Sequence, residues 1–418
     1  MTSSASGTEQ SNTFPVSLED IERARELLDG VIVPTPLDHS RALGRITGST
    51  VHLKCENLQR AGSFKVRGAY VRMARLSPEE RARGVVAASA GNHAQGVALA
   101  AAKLGVKARI YMPLGVALPK LQATRDHGAE VVLLGNNVDE ALAAAQRYSE
   151  ESGAVVIHPF DHEDIVAGQG TCGLEILEQV PDVRTILVCT GGGGLLAGIA
   201  TAVKALRPDV KVVGVQAEEA AAWPASLAAG EPVPVGSMST MADGIAVGRP
   251  GDVPFGLVAD LVDSIETVSE QAIARAVLFL AERAKQVVEP AGAAATAHLM
   301  ELGKESGSHY EGPVVAVISG GNIDPLLLLR IIRQGLTVAG RYLQLQVKVP
   351  DRPGELASVL GLLARERCNV LEVLHHRRVL GLKVNEVAIS MTLETMGHEH
   401  STHVIQALRD HGSTVERI

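Results

Sequence analysis

The spacing of apolar residues changes character along this chain and divides it into three stretches. The first 16 residues, MTSSASGTEQSNTFPV, are polar and lack an apolar core, which predicts a disordered tail and no signal peptide. Ser17 and Asp20 then stand at the spacing of a capping box, ahead of a helix over LEDIERARELLDG. From about Val51 to Gly320, short β-branched runs recur: GVVAAS, ARIYMP, EVVLLG, AVVIHP, TILVCT, KVVGVQ and VVAVIS. Each reads as a strand buried on both faces, and Ala-rich helical stretches such as AQGVALAAAKLG lie between them. Buried strands joined by helical crossovers predict parallel sheet in an α/β architecture. So many strands predict two lobes.

After TVAGR the pattern shortens. RYLQLQVKV alternates apolar and polar residues as a half-buried strand does, and PDRPGE turns the chain. In the helix ELASVLGLLARE, Leu356, Val359, Leu360 and Leu363 fall at i, i+3, i+4 and i+7. Strands over NVLEVLHHRR and LKVNEVAISMTLE follow, then the helix HEHSTHVIQALRDHG and the strand STVERI. The order βαββαβ predicts a separate ferredoxin-like module over 341–418.

Composition narrows the function. The 418 residues are 46% hydrophobic and 21% charged, enough for large buried cores. A net charge of -8, with 39 basic against 47 acidic residues and 3% aromatics, argues against nucleic-acid binding. No apolar run approaches the roughly 20 residues that span a bilayer. Cys55, Cys172, Cys189 and Cys368 lie far apart with no CxxC spacing, and read as buried, reduced thiols. A soluble cytoplasmic protein is expected.

Candidate chemistry sits where strands end. TILVCT runs into Gly191, Gly192, Gly193 and Gly194, and a helix begins at once. Four glycines let backbone N–H groups converge on an anion beside a helix N-terminus, so a phosphate is expected there. Gly192, Gly194 and Ala197 also satisfy the G-x-G-x-x-A dinucleotide fingerprint, with Glu218 after the next strand, so the loop alone would also suit NAD. Lys65, between Phe64 and Val66, is either an ordinary surface lysine or a desolvated amine able to form a Schiff base. The turn Ser89-Ala90-Gly91-Asn92-His93 would either cap a helix or offer N–H groups to a carboxylate, and His93 alone reads as structural. Ser319-Gly320-Gly321-Asn322 ends a strand, where α/β proteins place ligands. The segment His158 to Asp164 holds potential metal ligands in one short loop, for which a solvated turn is sufficient explanation.

Taken in order, SFKVRGA, SAGNHAQG, GGGGL, MADG and SGGN resemble the pyridoxal-phosphate (PLP) enzymes of fold type II, and among them the threonine dehydratases (threonine ammonia-lyases). The resemblance covers about residues 18 to 335. It implies a two-lobed catalytic domain over 17–335, similar to the tryptophan synthase β fold, with the smaller lobe at about 56–160. Asp351-Arg352-Pro353-Gly354-Glu355-Leu356 resembles the ACT regulatory domains.

The resemblance implies a role for each matching position. Lys65 would carry PLP as a Schiff base, Gly191 to Leu195 would hold its phosphate, Asn92 would bond the ring hydroxyl, Phe64 would line the ring, and Ser319 would meet the pyridine nitrogen. That replaces the NAD reading, which leaves an NAD-dependent oxidoreductase as a remote alternative. Ser89, Ala90, Gly91, Asn92 and His93 would clamp the substrate carboxylate, with Gly244 opposite. The implied reaction is α,β-elimination of water from L-threonine, giving 2-oxobutanoate and ammonia. L-serine is a second substrate, or the preferred one in the alternative of a serine dehydratase. In the related serine racemases the position of Ala90 is a serine that protonates the far face of Cα, so alanine argues against racemisation. Those enzymes also bind a divalent metal after the strand matching KVVGVQ. Gln216, Ala220 and Ala222 stand at the ligand positions here, with Glu218 and Glu219 nearby, so no metal is expected. An amino-acid effector would bind the ACT module near Gly354 and Asn369, and the chain would assemble as a homodimer or homotetramer.

Overall fold

A computed structural model describes residues 14–303, 310–377 and 382–418 of the chain. These fall in two compact units, Met1–Asp324 and Pro325–Ile418. Among the described residues, no helix is long and apolar enough to cross a membrane.

Two sheets organise the first unit. The larger has six strands in the order β1-β2-β10-β7-β8-β9, namely Leu37–His39 (β1), Val51–Cys55 (β2), Thr185–Cys189 (β7), Lys211–Ala217 (β8), Ser264–Val268 (β9) and Val314–Ile318 (β10). Only the β1–β2 pair is antiparallel. β7 and β10 are buried at every residue, as strands covered by helices on both faces must be. The smaller sheet is parallel, ordered β5-β4-β3-β6, from Val85–Ala88 (β3), Ala108–Met112 (β4), Glu130–Leu133 (β5) and Val155–Val156 (β6). Each sheet carries its own buried cluster, and the helix Lys65–Ala74 contributes Val71 to one and Ala69 and Met73 to the other. That helix therefore packs into both cores, and it begins at Lys65.

Three sequence expectations need correction. The run EVVLLG is not buried on both faces: β5 is the outer strand of its sheet, exposed at Glu130 and Leu133 and half-buried between. β6, expected over AVVIHP, is likewise an outer strand and only two residues long. The tail expected over 1–16 does not include Val16. Residues 1–13 lie outside the described residues, but Val16 is buried in the same cluster as Ile21. The two hold the positions of a hydrophobic staple around the N-cap Ser17. The capping box itself is present, with Asp20 N–H donating to Ser17 Oγ at 3.2 Å and Ser17 N–H donating to Asp20 Oδ2 at 2.9 Å.

The second unit opens with the helix Pro325–Val338 and continues as βαββαβ. Its antiparallel sheet has the order β12-β13-β11-β14, from Tyr342–Pro350 (β11), Asn369–His376 (β12), Glu386–Glu394 (β13) and Thr414–Arg417 (β14). Leu343, Leu345, Val347 and Val349 alternate inward along β11, as their spacing predicts. Val359 and Leu363 of the helix Glu355–Arg365 close the same core, with Leu356 and Leu360 at its margin.

Candidate active site

The site lies where the loops after β7 and β10 meet the start of the helix Lys65–Ala74. Ser63 pairs with Gly320 in an isolated antiparallel bridge, and Phe64 N–H donates to Ser319 O at 3.2 Å. The segment holding Lys65 is thereby tied to the strand end holding Ser319. On the other side Gly96 leaves room for the helix start, since a Cβ there would lie 3.1 Å from the Lys65 carbonyl carbon. Gly68 does the same where the helix crosses Gly168.

Lys65 Nζ donates to Pro159 O at 2.8 Å and lies 5.1 Å from the centre of the Phe64 ring. Burial pulls its amine down from 10.5 to about 8, against an opposing pull from Glu289. It faces one cavity lined also by Phe64, Asn92, Phe160, the run Gly191 to Leu195, Gly244, Glu289 and Ser319.

The glycine loop is built to accept an anion. Its carbonyls are committed outward: Gly191 O accepts from Trp223 Nε1 at 2.7 Å, Gly192 O from Gly251 N–H at 3.0 Å, and Gly193 O from Ala197 N–H at 2.8 Å. No side chain caps the helix Gly194–Leu206, so its first-turn N–H groups are left for a ligand. Gly193 has φ +98°, and a Cβ there or at Gly192 would overlap the ring of Trp223 or of Phe160. The residues present therefore fit a phosphate-bearing cofactor that also needs an amine.

Ser89, Ala90 and Gly91 form the turn before the helix Asn92–Leu104, which also starts without a side-chain cap. Ser89 Oγ accepts instead from Gly91 N–H at 3.1 Å, so neither Ser89 nor Asn92 acts as a simple helix cap. His93 is a structural residue: its ring Nε2 bonds Ile157 O at 2.7 Å, and burial followed by the Lys65 charge lowers it to about 3. Gly244 lies on the Glu289 side, where a Cβ would be 3.7 Å from Glu289 Oε1. Ser319 is buried beside the Cys189 thiol, and burial raises that thiol. Gly354 and Asn369 belong to the second unit. Gly354 has φ +94° and precedes the helix Glu355–Arg365, while Asn369 opens β12 and donates to Glu394 Oε2 at 3.3 Å.

In the His158–Asp164 loop the side chains of His158, Asp161 and His162 are half-buried and bonded to backbone, where a solvated turn was expected. His158 Nδ1 accepts from Asp161 N–H at 2.8 Å, His162 Nδ1 from Asp164 N–H at 3.1 Å, and Asp161 Oδ1 from Val253 N–H at 2.8 Å. These side chains set the path of the loop that carries Phe160. Gln216 is buried, accepting from Trp223 N–H at 3.0 Å and donating to Ala220 O at 3.4 Å. Among the described residues no group of three His, Cys, Asp or Glu is placed to hold a metal. All four cysteines are free and buried.

Three site residues, Lys120, Asp243 and Glu289, carry no sequence signal of their own, and Asn322 stands out only as the last residue of SGGN. Lys120 Nζ lies 2.5 Å from Asp243 Oδ2. Glu289 is buried and accepts from Asn92 Nδ2. Asn322 Nδ2 donates to both Ala61 O and Asn92 Oδ1 at 2.8 Å. The only hint was an acid directly before a proline in the apolar run QVVEPAGAAATA, and the unused Asp and Asn of MADG and SGGN.

A two-sheet α/β unit with a lysine, an anion loop and a neutral hydroxyl in one cavity is the arrangement of a PLP-binding enzyme. Residues 28–320 match the family of pyridoxal-phosphate dependent enzymes, and residues 343–413 match the ACT domain. The chain belongs to the pyridoxal-phosphate dependent enzymes, with PLP as cofactor, fused to an ACT domain. It is 47% identical to an L-threonine ammonia-lyase of Thermotoga maritima, over 94% of this chain and 97% of that one. Among solved structures, a threonine deaminase from the organism abbreviated T.th. is 42% identical with a TM-score of 0.69, covering 74% of this chain and 99% of that one. A maize serine racemase is 34% identical with a TM-score of 0.73, covering 78% and 99%.

Proposed function

We propose that the chain is a threonine ammonia-lyase that converts L-threonine to 2-oxobutanoate and ammonia, by elimination of water and then hydrolysis of the resulting enamine, and that it also accepts L-serine. The observation that carries this is Lys65, a desolvated amine facing the glycine loop across one cavity. Lys65 would hold the cofactor through Nζ, with its phosphate at Gly191 to Leu195, its ring beside Phe64 and Asn92, and its ring nitrogen at Ser319. When bound, the cofactor supplies an electron sink for negative charge at Cα.

The chain's own groups do the rest. The uncapped N–H groups after Gly91 bind the substrate carboxylate, with Gly244 closing the opposite side. Lys65 Nζ, lowered to about 8, is partly neutral near neutral pH and takes the α-proton. Ser319 offers a hydroxyl and no fixed negative charge, so it would not hold a proton at the ring nitrogen. Charge left near Cα would favour departure of the β-hydroxyl, which would leave as water with a proton supplied from the phosphate held at Gly191 to Leu195. Ala90 has no proton to give the far face of Cα, which separates the chain from a racemase of the same fold.

Regulation by an amino acid bound to the ACT module near Gly354 and Asn369 belongs to the same proposal, as do a cytoplasmic setting and assembly into a homodimer or homotetramer. The exposed outer strand β12 supports assembly, since an unpaired edge invites another strand. The test is turnover of PLP-loaded protein on L-threonine and L-serine, with 2-oxo acid and ammonia followed together. Equal release of both products with kcat/KM higher on threonine is expected. A D-amino acid as the main product, or serine preferred by more than about tenfold, would replace this reading.

A further inference from the structure

Asn92 is held from two sides by groups that come from distant parts of the chain. The order of its bonds is dictated by the far end. Ala61 O can only accept, so the group facing it is Asn322 Nδ2, which also donates to Asn92 Oδ1. That leaves Asn92 Nδ2 pointing to Glu289 Oε1, where it donates one of its two N–H bonds. The second N–H has no partner among the described residues. Ala61 takes up φ +64°, a left-handed conformation unusual for a residue with a side chain, and Gly62 follows at φ +69°. A Cβ at Gly62 would overlap the Asn322 amide, so the strained turn and the amide fit each other closely.

Glu289 Oε1 packs against Gly320, which continues the strand end carrying Ser319, and lies near Gly244. Its backbone N–H donates to Gly320 O at 3.2 Å, which fixes the start of the helix Pro290–Leu302 beneath the site. The charged groups that face it are Asp243 from the 3-10 turn Asp243–Ile245, Lys120 from the helix Leu118–Asp126, and Lys65. Burial raises its carboxyl to about 7, Asp243 adds to the rise, and Lys120, Asn92 and Lys65 oppose it. A carboxyl that changes charge near neutrality thus touches the amide of Asn92, which lines the cavity.

We propose that Glu289 and Asn322 are positioning residues that act through Asn92: together they turn its one free N–H toward the cofactor ring, and the charge state of Glu289 is transmitted to the cofactor through that amide. This rests on the reading that Lys65 and Asn92 meet the cofactor. An ionised Glu289 accepts the Asn92 hydrogen bond more strongly, polarises the amide and weakens its remaining donor. Protonation of Glu289 frees that donor for the ring oxygen.

The experiment is a pH titration of the visible absorbance of the cofactor bound to intact protein, without substrate. Wild-type protein is expected to show a single-proton change in the band between about pH 6 and 8. Glu289→Gln should bind cofactor but lose the change, and Glu289→Asp should retain a change at a displaced pH. Asn92→Ala should also lose it although Glu289 is intact, and Asn322→Ala should weaken cofactor binding by roughly tenfold. A pH change that persists in Glu289→Gln or in Asn92→Ala overturns the coupling. If Glu289→Gln does not fold, the Asn92→Ala titration decides alone. A wild-type protein that takes up no cofactor refutes the cofactor reading as well, so the two failures are told apart.

Discussion

Lys120 and Asp243 join the two lobes, with Nζ and Oδ2 at 2.5 Å. Lys120 is buried while Asp243 remains half exposed, so the ammonium rather than the carboxylate faces inward. A Cβ at Gly91 would lie 3.4 Å from that ammonium, which places a positive charge beside the turn proposed to take the substrate carboxylate. Lys120→Met should therefore raise KM for L-threonine about tenfold or more, with a smaller effect on kcat, because a charge-assisted hydrogen bond contributes roughly 1.5–3 kcal/mol. Steady-state kinetics check this, and an unchanged KM would make the pair a purely structural tie.

Two residues along the helix from Lys65, Arg67 is wholly buried and gripped by Glu56 through two hydrogen bonds of 2.8 Å. Glu175 holds its third nitrogen at 2.7 Å. Burial opposes the charge on Glu56, yet Arg67 outweighs it and keeps the carboxyl below its usual range. Glu56→Ala would leave two nitrogens of a buried guanidinium without their partner, and should lower unfolding free energy by about 3–5 kcal/mol. Denaturant unfolding measures it, and a loss under about 1 kcal/mol would contradict the account.

Trp223 is the single tryptophan of the chain, and its indole holds the carbonyl of Gly191. Its emission should be quenched as cofactor enters, giving a direct binding curve. Gly193→Ala meets both an unfavourable φ and the indole itself, and should weaken cofactor binding by at least about a hundredfold while the fold survives. Affinity within a few-fold of wild type would show that the loop can relax around a methyl group.

Lys65 sets the pH dependence of cofactor uptake. Its lowered amine is mainly charged below about pH 8 and mainly neutral above it, and only the neutral amine can attack a carbonyl. The rate of PLP uptake by the apoprotein should rise with pH and level off above about 8. A rise continuing toward pH 10.5 would mean that the amine is solvated.

The parts that were legible from sequence are those whose signal is local. Gly191 to Gly194 are contiguous, and Lys65 and Ser319 each sit inside a short recognisable run. Alternation along β11 and the helical stripe ending at Leu363 likewise need only a few residues to show. The order of strands in a sheet does not show this way, so the run at β5 looked as buried as the run at β7, although one is an outer strand. Glu289, Lys120 and Asn322 stand far apart in the chain and converge only on folding, and each alone looks like an ordinary acid, base or turn residue. His93 reads as structural when taken alone, and its ring does turn to Ile157 O, away from the turn it shares with Asn92.

The central claim is that Lys65 performs the chemistry in a cofactor site that deaminates threonine. The most direct measurement is 2-oxobutanoate release from L-threonine by PLP-loaded wild type and by Lys65→Ala, with the visible absorbance recorded alongside. The account predicts a coloured wild type that releases 2-oxobutanoate. Lys65→Ala should be folded, should lack the band of the lysine-bound cofactor, and should lose at least about a thousandfold in kcat. Retained turnover in that variant, or a coloured wild type inert toward L-threonine, would contradict it.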